Sequence, residues 1–338
     1  MFCRFLPFFV PLRASAVSCE QRGRHAHPMP SIRLLFAPFA VALGLASAGA
    51  ACAQSRLDDL RTGRDASLQG ALERIVGDAG LQGEADQGRL ALALVDATDP
   101  SAPRLAMING DRMMYAASMP KVAILLGALA EAEAGRLPIN PATLAAMNNM
   151  IRFSSNEDAT RVLRWVGVDR LAEILQSSRF GLYDRAGSGG LWVGKGYGPE
   201  PATRRDPLQN LSHGATAFQA ARLYWLLAND RLLSPAMNVL MKQALSNPGI
   251  RHKFVKGLES RPGVEIYRKS GTWKNFHADS ALVETGGKRI VMVGIADHPE
   301  GGEWLARLAG PMHDLVVAPR ATTVARRPDR HGDPAGAQ

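Results

Sequence analysis

A chain of 338 residues, 46% hydrophobic and 21% charged, can bury a large core and is too apolar to remain a disordered polymer. Its formal net charge is +9, but five arginines and one glutamate lie in residues 1–53, which leaves +5 for the remainder. That excess is thinly spread over no basic, aromatic-studded module, so it argues against nucleic acid as a partner and leaves a general preference for anionic surroundings.

The N-terminus reads as a targeting segment. Phe2 to Leu12 is apolar but broken by Arg4 and two prolines. Met29 opens a better pattern: Arg33, the apolar run Leu34 to Ala50, then Ala51-Cys52-Ala53. This predicts a secretory signal peptide over 1–53, cleaved before Gln54, with 1–28 as an upstream extension. A retained anchor is the competing reading. Cleavage would leave no membrane span and a periplasmic or secreted protein. It would also remove Cys3, Cys19 and Cys52, the only cysteines. Without them, and with scattered histidines, neither a metal nor a cofactor is expected.

Residues 54–318 are expected to form one domain. Leu68 to Val76 has helical spacing and ends at Gly77-Asp78-Ala79-Gly80. Leu90 to Val95 is a strand, and Arg104 to Ile108 is its return across a turn. An apolar helix follows Ser118-Met119-Pro120-Lys121 and stops at Gly135, with Ser118 at the N-cap place and Pro120 in the first turn. Helical periodicity returns at 141–150, 157–166, 168–176, 216–227 and 235–245. Within this region the stretch 181–211, with seven glycines, is a loop of the length that is functional or disordered. Strands are expected at 264–268, 278–284 and 289–296, with Thr285-Gly286-Gly287-Lys288 as the last turn, and a helix at 303–316. Residues 319–338 read as a disordered tail. Strands at both ends and helices between predict an α+β fold: an antiparallel sheet flanked by helices, plus a helical subdomain and a cleft between.

Three short motifs stand in order on this frame. Ser118-x-x-Lys121 sets an amine beside a hydroxyl on one face of a helix start, which is what a serine nucleophile needs. Ser154-Ser155-Asn156 opens the next-but-one helix, and Lys269-Ser270-Gly271-Thr272 ends a strand. Each alone has a plain explanation: an N-cap with a solvated lysine, a capping segment, a strand-end charge before a turn. Together, once each and in suitable local structure, they point to one shared site.

On these motifs the chain resembles the serine β-lactamases and penicillin-binding proteins, closest to the class A β-lactamases, over about Leu90 to Val316. The resemblance implies a β-lactamase/transpeptidase-like fold, a monomer, and a small-molecule β-lactam or peptidoglycan stem-peptide substrate. It implies that Ser118 attacks and becomes acylated, while Lys121 takes or relays the proton. Ser154 would carry a proton to the departing nitrogen, and Asn156 would hold the substrate amide. Lys269 and Ser270 would receive the substrate carboxylate. The N–H groups of Ser118 and Thr272 would form the oxyanion hole.

Two departures bear on function. Ser118 and Ser154 stand 36 residues apart, fewer than in class A enzymes, which trims one wall of the cleft. Ser155 also replaces the usual aspartate, and Ser270 the usual threonine. The class A Glu-x-x-Leu-Asn pattern has no counterpart. Glu200, in Pro199-Glu200-Pro201, is the candidate deacylation base, with Asp184 and Asp206 as the other loop carboxylates and a solvated charge as the plain alternative. With a base, the chain is expected to be a secreted β-lactamase. Without one, it would be a penicillin-binding or D-alanyl-D-alanine peptidase-like hydrolase with slow deacylation, or a non-catalytic cell-wall-binding relative.

Overall fold

The computed structural model describes residues 59–318, so the expected signal peptide, its cysteines and the tail at 319–338 lie outside the described residues. Helices α1 (Ala66–Asp78) and α2 (Gln82–Asp86) precede strands β1 (Leu90–Asp96), β2 (Arg104–Ile108) and β3 (Met114–Tyr115). Helices α3 (Lys121–Glu133), α4 (Pro141–Arg152), α5 (Asn156–Val166) and α6 (Val168–Gln176) follow, then short strands β4 (Tyr183–Asp184), β5 (Gly189–Gly190), β6 (Trp192–Val193) and β7 (His213–Ala215). The last described elements are α7 (Ala217–Ala228), α8 (Pro235–Leu245), α9 (Phe254–Leu258), β8 (Glu265–Trp273), β9 (Phe276–Thr285), β10 (Lys288–Asp297) and α10 (Gly301–Val317).

The long strands form one antiparallel sheet ordered β2-β1-β10-β9-β8, and the α+β architecture is the expected one. β1 is buried along its whole length because its two faces serve two cores. Leu90, Leu92 and Leu94 join Leu68 and Leu72 of α1 and Leu305 and Leu308 of α10. Ala91, Ala93 and Val95 join the core that holds α3 and α7. The period-two alternation of a strand thus divides one apolar run between two layers. Every residue of α3 from Lys121 to Glu131 is buried, as expected of a helix apolar on all sides, and the leading lysine is drawn in with it.

The structure departs from expectation where the motifs lie. β8 does not stop at Arg268 but runs through Lys269, Ser270, Gly271 and Thr272, paired with β9 from Glu265↔Glu284 to Trp273↔Phe276. That pairing outweighs the weak strand preference of a Lys-Ser-Gly run. The 181–211 stretch holds three two-residue strands, too short to show a period, and Leu191, Trp192 and Val193 in it are buried. Nor is Ser118 the cap of α3. The N–H groups of Met119 and Lys121 donate to Ala116 O (3.0 Å) and Ser118 O (3.2 Å), making a tight turn ahead of the helix. α3 has no side-chain cap, so the Ser118 hydroxyl is not spent on capping.

The edge strand β8 lies against that turn at Gly271. A Cβ there would stand 2.3 Å from Ala116 O and 2.6 Å from the backbone nitrogens of Ser118 and Met119. Only glycine lets the strand backbone come so close. Behind it, Arg268 and Asp279 form a bidentate pair, 2% and 0% exposed, with Nε to Oδ1 at 2.7 Å and Nη2 to Oδ2 at 2.8 Å. Arg268 Nη1 also donates to Ile250 O (2.6 Å), and the Phe254 N–H donates to Asp279 Oδ2 (3.1 Å), which ties the two strands to α9.

Gly271→Ala should push β8 off the nucleophile turn and slow labelling of Ser118 by an acylating probe about tenfold or more, read by intact mass; unchanged labelling would contradict the close approach. Asp279→Ala should lower the urea unfolding free energy by about 3–5 kcal/mol, because it strands a buried guanidinium; a loss below about 1 kcal/mol would show that the pair does not brace the strands.

Candidate active site

The structure brings the three motifs together. Ser154 stands between two lysines: its Oγ is 3.3 Å from Lys121 Nζ and 3.0 Å from Lys269 Nζ. Lys121 Nζ also donates to Ser154 O and to Asn156 Oδ1, both at 2.7 Å, and Lys269 Nζ donates to Ser270 O at 2.5 Å. Ser118 lies in the turn that Gly271 touches. Local geometry explains the division of labour in the second motif. Ser155 caps α5, its Oγ accepting the Asp158 N–H at 3.1 Å, which leaves the two residues beside it for other partners. Ser154 has φ of 57° and Ala117, beside Ser118, has 50°. Left-handed backbone at a residue with a side chain costs about 1–3 kcal/mol, and here it occurs at both edges of the site.

Lys121 is fully buried and Lys269 is 1% exposed. Burial brings the Lys121 amine from 10.5 down to about 7. Lys269 is held well below its ordinary value, by burial first and then by the charges of Lys121, Arg268 and Lys253, against the pull of Asp279. The bonding fits a neutral Lys121. A neutral amine has two N–H groups and one lone pair. The two N–H groups match Ser154 O and Asn156 Oδ1. The lone pair can accept the Ser154 hydroxyl proton, while that hydroxyl's oxygen accepts from Lys269. A proton can therefore pass between Lys121 and Ser154. Because Asn156 Oδ1 is taken by Lys121, Nδ2 is the atom of this exposed side chain left to meet a substrate.

On the strand side, Ser270 is buried and Thr272 is exposed at the cleft. Below them lies Lys253, which no motif marks. It is 2% exposed, and its Nζ donates to Gly271 O (2.5 Å), Thr272 Oγ1 (2.8 Å) and Ala278 O (3.2 Å). Burial lowers its amine to about 8.

Glu200 is not brought to this site. It is exposed, and its carboxylate folds back over Gly198, where a Cβ would stand 2.3 Å from Oε2. Its short, proline-flanked segment is pinned by Lys195 Nζ, which donates to Gly198 O (2.8 Å) and Glu200 O (2.5 Å). Asp206 is buried but spent on closing the loop, accepting from the Tyr183 hydroxyl and from the Gln209 N–H at 2.6 Å. Asp184 is exposed and accepts the Ala186 N–H at 2.9 Å. The group that faces Lys121 from the loop is aromatic. The Tyr197 ring centroid is 4.3 Å from Lys121 Nζ, its hydroxyl donates to Ala117 O at 3.4 Å, and its ring packs on His213 with centroids 4.2 Å apart. Burial drives the His213 imidazole down to about 4, so it is neutral. The one sequence signal for Tyr197 was its place in the long 181–211 stretch. Among the described residues no cluster of three or more His, Cys, Asp or Glu could hold a metal ion, and no helix is long and apolar enough to cross a membrane.

Residues 142–309 match the family described as the beta-lactamase enzyme family, a span that includes Ser154, Asn156 and Lys269 and begins after Lys121. No curated protein matches the chain. The β-lactamase from Sphaerobacter thermophilus DSM 20745 is similar with a TM-score of 0.58 and 16% identity, over 73% of this chain and 97% of that one. A PBP-A variant solved as an acyl-enzyme complex with penicillin G gives 0.57 and 17%, over 75% and 97%. The TLA-3 extended-spectrum β-lactamase gives 0.58 and 13%, over 75% and 99%. At these identities the likeness of the solved structures is one of fold. Together they lead to one conclusion: residues 142–309, just under half of the chain, match the beta-lactamase enzyme family, and the fold is the one seen in β-lactamases and the penicillin-binding protein PBP-A.

Proposed function

We propose that the chain is a serine hydrolase that opens β-lactams through an acyl-enzyme on Ser118, with Lys121 as the base for both halves of the reaction. The hydrogen-bond chain Lys121–Ser154–Lys269 beside the Ser118 turn carries this reading. In acylation Ser118 Oγ bonds to the carbonyl carbon and its proton passes to neutral Lys121. Charge gathers on the carbonyl oxygen between the N–H groups of Ser118 and Thr272, donors worth about 3–4 kcal/mol each. The C–N bond then breaks, Ser154 gives its proton to the nitrogen, and Lys121 restores the Ser154 proton. Arg268 is paired with the buried carboxylate Asp279, and Lys253, lowered only to about 8, supplies positive charge beneath the strand that suits a substrate carboxylate.

Release is slow in this reading. Attack by water must again rely on Lys121, because the loop presents Tyr197 there and Glu200 faces away. That favours a penicillin-binding, D-alanyl-D-alanine peptidase-like protein over a fast β-lactamase. The apolar segment at 34–50 supports a periplasmic location, where stem peptides are found.

Incubation with penicillin G should give a covalent adduct by intact mass that is absent in Ser118→Ala and persists for minutes once free penicillin is removed. Folded protein without an adduct would contradict acylation, and an adduct lost within seconds would favour a fast β-lactamase. The acylation rate should rise with pH through about 7 and level off above, because the neutral amine is the base and raising pH increases its fraction. A rate that is flat from about pH 5 to about pH 9 would remove Lys121 from that role.

A further inference from the structure

We propose that Tyr197 sets the lifetime of the acyl-enzyme, its ring filling the place from which water would reach the acyl carbonyl with Lys121 as base. The inference rests on the reading of Ser118 as the acylated nucleophile and adds a residue that controls the second half of the reaction.

Deacylation needs a water whose oxygen bonds to the acyl carbon and whose proton goes to the Lys121 amine. The C–Oγ bond then breaks and Lys121 returns the proton to Ser118. The water must therefore touch both Lys121 Nζ and the acyl group. Two sides of Nζ are closed by Ser154 O and Asn156 Oδ1 at 2.7 Å, and Ser154 Oγ stands at 3.3 Å. Toward the loop, the Tyr197 ring centroid stands 4.3 Å from Nζ. The same ring reaches the nucleophile turn through its hydroxyl on Ala117 O. It thus spans the gap between the base and the residue next to Ser118.

The ring is held firmly enough to act as a stopper. The Tyr197 N–H donates to Thr160 Oγ1 at 2.9 Å, and a Cβ at the preceding Gly196 would stand 2.9 Å from Thr160 Cγ2, so this loop lies directly on α5. The ring also packs against His213, whose Nε2 is 3.2 Å from Lys195 O. The His213 carbonyl accepts the Ala116 N–H at 3.1 Å, which couples the support of the ring to the nucleophile turn. A phenol so placed cannot stand in for a carboxylate base, since burial holds its proton well above the ordinary range. It is a positioning residue: it packs against the Lys121 amine and keeps water from the side of Nζ that faces the loop.

The test follows penicillin G adducts by intact mass after excess penicillin is destroyed, so that only molecules folded well enough to acylate are counted. Tyr197→Ala should shorten the adduct half-life about tenfold or more while changing the acylation rate less than about threefold; Tyr197→Phe, which keeps the ring, should leave the half-life within about twofold. Tyr197→Leu, smaller than the ring but still apolar against His213, should also shorten it and serves if alanine prevents folding. A half-life in the alanine and leucine variants equal to that of the unaltered protein would overturn the proposal, as would loss of acylation in both with their melting temperatures retained. Failure of the unaltered protein to form any adduct would instead overturn the reading of Ser118.

Discussion

An amine taken out of water is the condition on which the rest of the site depends. A solvated lysine near 10.5 is protonated at neutral pH and cannot accept a proton from a serine. Lys121 loses its water because α3 is enclosed by the core on all sides, so its first residue is enclosed too. The sheet that braces this helix is split between two cores by the alternation of β1, and its edge strand reaches the Ser118 turn because Gly271 has no side chain. Sheet, buried helix and edge strand each serve the depressed basicity of one amine.

The partners of the buried lysines matter as much as their burial. Lys121, Lys269 and Lys253 all donate to carbonyl, amide or hydroxyl oxygens. The one carboxylate among them, Asp279, is locked in the fork of Arg268. A carboxylate in direct contact would raise a lysine back toward its solvated value. Neutral acceptors satisfy the N–H groups without doing so. The arrangement is costly in stability, since each buried amine either gives up its proton or stays charged without a carboxylate partner.

The fold was legible in outline because its elements repeat with clear periods. The Leu-Ala alternation at 90–95, the apolar run after Lys121 and the Thr-Gly-Gly-Lys turn before β10 all mark what the structure contains. The residues that surround Ser118 were legible as three motifs, and the structure gathers Lys121, Ser154, Asn156 and Lys269 within hydrogen-bond reach. The rest was not legible, for a physical reason. Tyr197 and Lys253 act through irregular backbone and His213 through a three-residue strand, where neither period nor spacing encodes position. Lys253 enters the site from a left-handed residue, and Tyr197 from a loop held by Thr160 and Lys195. The family's pattern asks for a glutamate in this loop, and Glu200 is the one glutamate of residues 181–211. The chain instead turns that carboxylate outward and points an aromatic ring inward.

The central claim is that Lys121 titrates near neutrality in the unliganded protein, so that a substantial fraction of it is neutral at physiological pH. Its ionisation can be observed directly by following the ¹³Cε resonances of labelled lysines with pH, assigned through Lys121→Arg. The account expects one resonance, lost in that variant, to titrate near pH 7. A Lys121 resonance that titrates with the surface lysines at about 10.4 would contradict it.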